Sequence, residues 1–574
     1  MMRSRFAALL LYLGAAMLLI LPGLACAAEP DSATPRAGSI DAPPPLSPPP
    51  PPPGVSGDTF RLPAPPPLPE SMPGSVDDSA YPIEEVVFTG NRAIDTDALQ
   101  TLSLSILHHR ASATELGLFA QRVSLYYFER GYVNSGVSEV ELNASSSTLT
   151  VHIIEGHLTT VRIEGSGGLD SRYIVMRLRA SDDEVLNADV LRERFQILLT
   201  DPLFESARAQ LQAGLSPGES ILDVSIDRAL PYDLTLFANN YRPVSTGSSA
   251  FGVSGTVRDM TGWGDTLNAS IQSEIFGATG LSGALDWHVP FDGWGGEVYF
   301  AIDTSNDSVI QQSLAPLDIE SRLNDATLGL RHYLLLSLVQ KMTLGFEAIR
   351  RESRTWLLDV PFSFTPGTSN GRIVDDGFRI YDEYGLRTED QSLTTRITFT
   401  DARNDLVNEG GVLANTARIP NNQHSLLLQG QYGHLVGSQG DQLIARLTVQ
   451  RTDQSLDPLN QIAIGGVLTV RGFLENELVR DNGTAFNLEY QHAINLGDVH
   501  TTLSPFFDWG NARNEGQGAT DISSVGLASS LAWKHWRLDI ALAHRLIHPT
   551  VATPTGGSLQ AAGVELQLAY TPLR

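Results

Sequence analysis

Cysteine is nearly absent from this 574-residue sequence: the single one is Cys26. It lies in Ala25-Cys26-Ala27-Ala28, and if cleavage follows Ala27 or Ala28 the mature chain has none. Disulfides, thiol catalysis and zinc-thiolate sites then drop out together. Basic charge is also scarce, with 39 Lys and Arg against 65 Asp and Glu and a formal net charge of -26. A chain this acidic repels phosphate backbones, which argues against nucleic acid as a partner. After residue 28 no stretch approaches 18 uninterrupted apolar residues, so no membrane-crossing helix is expected there. No G-x-S-x-G string, Walker loop or dinucleotide fingerprint stands in a strand–turn–helix setting. Nothing asks for a catalytic residue, a cofactor or a metal, and the chain does not read as an enzyme.

The start of the chain is richer. Arg3 and Arg5 precede an apolar run from Phe6 to about Leu21, and Pro22 and Gly23 break it before the small residues at 25–28. That is the layout of a secretory signal peptide over residues 1–28. A membrane anchor is one alternative. A lipoprotein cysteine at Cys26 is another, although Gly23 stands where a large aliphatic residue is usual. Residues 29–82 follow as a proline-rich linker, nearly pure proline over 43–53 and proline-rich again over 63–73. Such a segment favours polyproline II and is not expected to join a packed core. It reads as a semi-rigid spacer, or as a docking site for a proline-binding module.

Two small mixed units come next. In the first, residues 83–156, a strand at 83–89 ends at Gly90-Asn91, a good turn pair. A helix is expected over about 114–130, with Phe119, Val123 and Tyr126–Tyr127 on one face and Gly131 at its end. His108-His109, after an apolar run, read as a helix end. Alternating segments at 137–142 and 148–154 close the unit as a hairpin. Residues 157–229 repeat that order, with Gly165 placed after the first strand as Gly90 is.

From residue 230 to 574 alternation of period two becomes the rule. Phe486, Leu488 and Tyr490 alternate with Asn487, Glu489 and Gln491, and Val564, Leu566, Leu568 and Tyr570 with Glu565 and Gln567. A hydrophobic content of 42% suits a soluble protein and a transmembrane barrel equally, because lipid-facing and lumen-facing residues average out. The sustained alternation favours the barrel over a β-sandwich. With strands of about 10 residues, and about 20 for each strand and its turn, it holds about 16 antiparallel strands. His544-Arg545-Leu546-Ile547-His548 has the spacing of a zinc-binding helix, but Arg545 stands where the general base belongs and the segment alternates as a strand. It reads as barrel wall.

Two motifs stand near the end of this barrel: Val470-Arg471-Gly472-Phe473, and Phe506-Phe507-Asp508-Trp509-Gly510 about 35 residues later. On the second, Phe507 and Trp509 share one strand face while Phe506, Asp508 and Gly510 share the other. With the aromatics towards lipid, Asp508 points into the lumen and needs a cation or water. Arginine offers a partner of fixed bidentate geometry; the alternative is a solvated Asp508 and an exposed Arg471.

With these motifs, from about residue 83 onward the chain resembles the outer-membrane translocators of two-partner secretion, the TpsB branch of the Omp85 superfamily that includes the ShlB/FhaC/HecB-like haemolysin secretion/activation proteins. The resemblance implies two periplasmic POTRA domains, a 16-stranded barrel in the outer membrane of a Gram-negative bacterium, and a long extracellular loop folded back into the lumen. It implies that Val470, Arg471, Gly472 and Phe473 form the loop motif and that Phe507, Asp508 and Gly510 belong to the strand motif, with Asp508 the ion-pair partner of Arg471. The plug helix of such translocators has no evident counterpart, since the prolines at 43–73 exclude a long helix there.

The function this implies is secretion without ATP. The POTRA domains would capture an unfolded exported partner, a TpsA-like exoprotein, by adding a strand to a sheet edge. A monomeric barrel seated in outer-membrane lipid would pass it outward, and folding outside would make passage irreversible. An assembly factor for other outer-membrane proteins and a passive diffusion channel are the alternatives. Whether the cargo is an adhesin, a cytolysin or an exoenzyme is not legible.

Overall fold

The computed structural model of the protein describes residues 59–62 and 80–573 apart from 180, 182, 276–279, 311–314, 366, 408–418, 438–439 and 549–557. The expected signal peptide and most of the proline-rich segment, including any plug helix within it, lie outside the described residues.

The first α/β unit is a three-stranded sheet in the order Glu85–Thr89, Thr148–Ile154, Gly136–Asn143, covered by helices Thr96–Ser103 and Ala113–Phe128. Ser112 caps the second helix through a reciprocal capping box with Glu115, which satisfies two otherwise orphaned N–H groups. Phe119, Val123 and Tyr127 recur on its inner face and are buried against Leu149 and Val151 of the central strand. Tyr126, placed on that face by the sequence reading, is only partly buried. Gly131 follows the helix at φ 86°, a left-handed conformation that a side chain would strain. Inside, the Glu155 carboxylate accepts from Arg92 N (2.8 Å), Ala93 N (2.8 Å) and the Tyr127 hydroxyl (2.9 Å). Burial first, and then that carboxylate, push the Tyr127 phenol far above its ordinary pKa.

The second unit repeats the plan with strands His157–Glu164, Phe204–Ala213 and Glu219–Arg228 and helices Ser171–Leu178 and Ala188–Leu198. Gly90 and Gly165 show why the repeat is real. Both have positive φ, 85° and 83°, and a Cβ on either would collide with a backbone carbonyl of the sheet, Ile153 O and Ile226 O respectively. Asn134 Nδ2 donates to Gly218 O (3.0 Å) and Ala188 N to Gly131 O (2.8 Å), which ties the units together. The second unit meets the barrel through Arg228 and Asp259, 2.9 Å apart, and through Asp170 N and Gly262 O at 2.8 Å.

One expectation is corrected here. The proline-rich segment is not wholly a spacer, because Phe60–Arg61 forms a strand alongside Phe204–Ala213, and Phe60 is buried in the core of the second unit. The reason is local: Thr59 to Leu62 separates the two proline runs, and there the backbone keeps its N–H groups and carries an aromatic side chain.

From Tyr232–Asn239 to Val564–Leu573, 16 spanning antiparallel strands close a barrel, each pairing with its neighbour and the first with the last, as in Leu236↔Tyr570 and Asn239↔Gln567. A two-residue strand, Val360–Pro361, extends one hairpin. Its burial is inverted relative to a soluble protein. Leu488, Phe507 and Leu542 are exposed while Asn487, Glu489, Gln491 and Asp508 are buried, which fits apolar side chains turned to lipid and polar ones to the lumen. The zinc-like histidines lie in this wall region: His544 is an exposed residue of strand Trp536–Ile547, and His548 follows directly after it.

Candidate functional site: a loop held inside the barrel

Between strands Asp441–Arg451 and Asn482–Leu496 the chain makes a small hairpin, Ile462–Ile464 with Leu478–Arg480, whose tip carries the first motif. Ile462, Ile464, Val470, Phe473 and Leu478 cluster together and against Ala512 and Ile522 of the wall. The loop therefore has a core of its own inside the barrel.

Arg471 is the polar centre of that tip. Its Nε and Nη2 donate to Asp508 at 2.8 and 3.0 Å, its backbone N donates to the same carboxylate at 3.0 Å, and its Nη1 donates to Glu489 at 2.8 Å. The guanidinium also lies 3.6 Å from the centre of the Phe506 ring, an attraction between a cation and an aromatic face. Asp508 is 0% exposed and Arg471 8%, so each charge depends on the other for what water no longer supplies; losing one partner of such a pair costs about 3–5 kcal/mol.

The wall is arranged to receive the loop. Strand register aligns Asn487 with Asp508, Asp508 with Ser524, and Ser524 with Arg545. Every member of this row bonds the loop: Asn487 to Thr469 O, Asp508 to Arg471, Ser524 Oγ to Arg471 O (2.6 Å) and Arg545 Nε to Gly472 O (2.5 Å). Glu565, on the last strand, accepts from Gly472 N at 2.9 Å. Glycine is required at two of the motif positions. Gly472 has φ 87°, and a Cβ there would lie 2.5 Å from the Ala543 Cβ. A Cβ on Gly510 would lie 2.6 Å from Ile464 Cγ2 and 2.8 Å from Val470 Cγ2, so its bareness lets the hairpin lie flat on the wall.

A second anchor holds the stem of the loop. Asn460 Nδ2 donates to Asp375 (2.9 Å), Arg351 donates to Leu459 O, and the buried Asp457 accepts from Asn404 Nδ2 (3.0 Å) and Leu459 N (2.9 Å).

The structure thus brings Val470, Arg471, Gly472 and Phe473 together with Asp508 and Gly510, while Phe507 lies on the exposed outer face away from them. Glu489 and Glu565 stood on polar strand faces in the sequence without assigned partners. Ser524, Arg545 and the stem anchor carried no signal there, because loop-to-wall partners are set by barrel register rather than by local pattern.

These features define a class: an outer-membrane β-barrel with periplasmic POTRA domains. The description "Haemolysin secretion/activation protein ShlB/FhaC/HecB" matches residues 218–532 and "POTRA domain, ShlB-type" matches residues 81–156. The chain belongs to that haemolysin secretion/activation family of two-partner secretion, a family of translocators and not of enzymes. Its fold is like that of CdiB from Escherichia coli, at 18% identity and a TM-score of 0.69 over 88% of this chain and 92% of that one. CdiB from Acinetobacter baumannii gives 15% and 0.61 over 86% and 90%. BamA from Haemophilus ducreyi lacking POTRA domains 1–3 gives 12% and 0.50 over 86% and 100%. The heme/hemopexin transporter protein HuxB of Haemophilus influenzae (strain 86-028NP) is 22% identical over 191 residues, 33% of this chain and 34% of HuxB. The alignment thus spans about a third of that curated relative.

Proposed function

We propose that this protein secretes an unfolded exported partner protein through its barrel, with 83–156 and 157–229 as two substrate-binding POTRA domains and 230–574 as the conduit. The observation that carries the reading is the loop bearing Arg471, folded into the lumen and held there by Asp508 and Glu489. A wall that devotes a row of four polar side chains to one loop tip is built to hold that loop in a defined place. Such a loop serves as a gate or an assembly lock: it keeps the lumen obstructed at rest and shifts when a chain threads past. The bonds are individually exchangeable polar contacts, so another extended chain can offer replacements as it enters.

Capture follows from the sheets of the POTRA units, whose edges recognise backbone more than side chains and so accept an unfolded chain of any sequence. No nucleotide is needed, since folding of the cargo outside removes it from the exchange. The test compares exported proteins in the medium of cells with and without the gene, and with Arg471→Ala. Loss of one large protein on deletion, with other barrels assembled normally, supports secretion, and partial or complete loss with Arg471→Ala ties it to the loop. An unchanged medium with depleted outer-membrane proteins turns the reading to an assembly factor.

A further inference from the structure

The stem anchor of the loop holds more negative charge than its partners balance. Strand register sets Asp325, Arg351, Asp375 and Asn404 in one lumen-facing row. The loop lays Asp457 and Asn460 across that row. Asp375 is 1% exposed and Asp457 0%, so water screens neither carboxylate. The cation among them is Arg351, which pairs with Asp325 at 3.2 Å and donates to Leu459 O. Arg379, further along the same strand as Asp375, is engaged with Glu347 at 3.2 Å. The carboxylates of Asp325, Asp375 and Asp457 thus face a single guanidinium, and a double negative charge is left over.

At the centre of the cluster stands the amide nitrogen of Asn460. Four oxygens surround it: Asp375 Oδ2 at 2.9 Å, Gln423 Oε1 at 3.2 Å, and Asp457 Oδ2 and Oδ1 at 3.3 and 3.4 Å. A side-chain amide has two hydrogens and cannot serve four acceptors. The other oxygen of Asp375, Oδ1, is buried with no hydrogen-bond partner at all among the described residues. Leaving a buried carboxylate oxygen without a donor or cation is costly. The cluster is therefore short both of positive charge and of a partner for its oxygens, and a divalent cation supplies both. Among the described residues no group of three or more Asp, Glu, His or Cys side chains is placed to hold a metal ion. This cluster differs in kind, since its two unbalanced carboxylates are completed by amide oxygens. Calcium takes such mixed oxygen sets in irregular geometry, whereas magnesium demands a near-ideal octahedron and gives up its waters reluctantly.

We propose that Asp375, Asp457 and Gln423, with the Asn460 side chain turned to present its oxygen, form a calcium site that fastens the stem of the loop to the barrel wall. The cation takes the place that the Asn460 nitrogen holds between the four oxygens, and Asp375 Oδ1 gains the partner it lacks. The ligands come from two wall strands, Arg372–Arg387 and Asn422–Val436, and from the loop, so one ion ties three segments together. Asp375 and Gln423 stand near the first residues of their strands, at the barrel end opposite the POTRA units, where the medium supplies the ion.

Calorimetry on the full-length protein in detergent, stripped with EDTA and desalted, tests this by titration with calcium chloride. The unaltered protein should bind one calcium ion per chain, about tenfold more tightly than magnesium, and Asp375→Asn and Asp457→Asn should each abolish binding. Asn460→Asp adds a carboxylate to the ring and should tighten calcium binding about tenfold. Arg471→Ala, which leaves the stem intact, should bind calcium as the unaltered protein does. Calcium should also slow proteolysis within 457–480 in the unaltered protein and leave the rate in Asp375→Asn unchanged. No binding by the unaltered protein overturns the site, as does binding retained by both asparagine variants when heat-modified migration shows folded barrels. Should those variants fail to fold, unchanged affinity in Asn460→Asp overturns it alone. A loop protected by falling pH and indifferent to calcium would mean that the two carboxylates share a proton, and that outcome overturns the site as well.

Discussion

Asp508 and Arg471 are not equivalent members of their pair. Removing the Asp508 charge leaves Arg471 with Glu489 at 2.8 Å. Removing the Arg471 side chain leaves Asp508 with the Arg471 backbone N, and deprives Glu489 of its closest cation, Arg446 standing at 3.9 Å. Arg471→Ala should therefore cost more loop stability than Asp508→Asn, on the order of 3–5 kcal/mol against about 1–3 kcal/mol. The double variant should cost less than the sum, since both changes delete the same contacts. Limited proteolysis in the 457–480 region of the folded barrel measures all three; strict additivity would show that the two side chains do not act together. Gly510→Ala tests the wall from the other side. Its methyl enters space held by Ile464 and Val470, so it should loosen the hairpin by about 1–3 kcal/mol with every charge retained. Much of this site was legible at residue scale. Alternation alone put Asp508 on the inward face and Glu489 and Glu565 on polar faces, but which arginine they meet is decided by how the barrel closes.

Helices were easier to read than short strands. The helix Ala113–Phe128 announced itself by its spacing and by the terminating Gly131, and its capping box fixes its start. The Ser112 bonds, the backbone N–H first, hold the Glu115 carboxyl below the usual carboxylate range. A depressed folded pKa contributes stability that is full above the unfolded value and is lost as pH falls through the folded one. Ser112→Ala should speed amide exchange in the first turn of the helix about fivefold at neutral pH, corresponding to about 1 kcal/mol for a lost cap. Glu115→Gln should flatten the acid side of the exchange-derived stability profile of that turn. A profile in Glu115→Gln that still falls as steeply below neutral pH would place the acid sensitivity elsewhere. By contrast, Phe60–Arg61 could not be read from sequence: two residues show no periodicity, and the prolines on both sides argue for solvent. Its burial is a tertiary effect, decided by a gap at a sheet edge about 150 residues away.

For the whole molecule, the question is what holds the loop inside the barrel. Three sets of contacts hold the loop: the polar row at its tip, the apolar cluster of Ile464, Val470 and Phe473 on Ala512 and Ile522, and the stem anchor of Asp457 and Asn460. The polar row and the apolar cluster share strands Val499–Arg513 and Thr520–Trp533 but hold the tip by different forces, and the stem anchor draws on Arg372–Arg387 and Gln391–Asn404, so weakening one set does not by itself release the loop. Arg471→Ala should accordingly raise ion conductance in planar bilayers only partly, through more frequent brief openings. Deleting residues 462–480 removes the tip and the apolar cluster together and should open the barrel several-fold further. A variant that also breaks the stem, Asn460→Ala with Arg471→Ala, should fall between the two, because the apolar cluster alone remains. If Arg471→Ala by itself conducts as well as the deletion, the ion pair is the sole latch and the apolar cluster merely follows it. If neither conducts more than the unaltered barrel, the loop does not bound the path. The ordering of the three conductances thus separates a gate held at one point from a loop fastened along its length, and the contacts favour the latter.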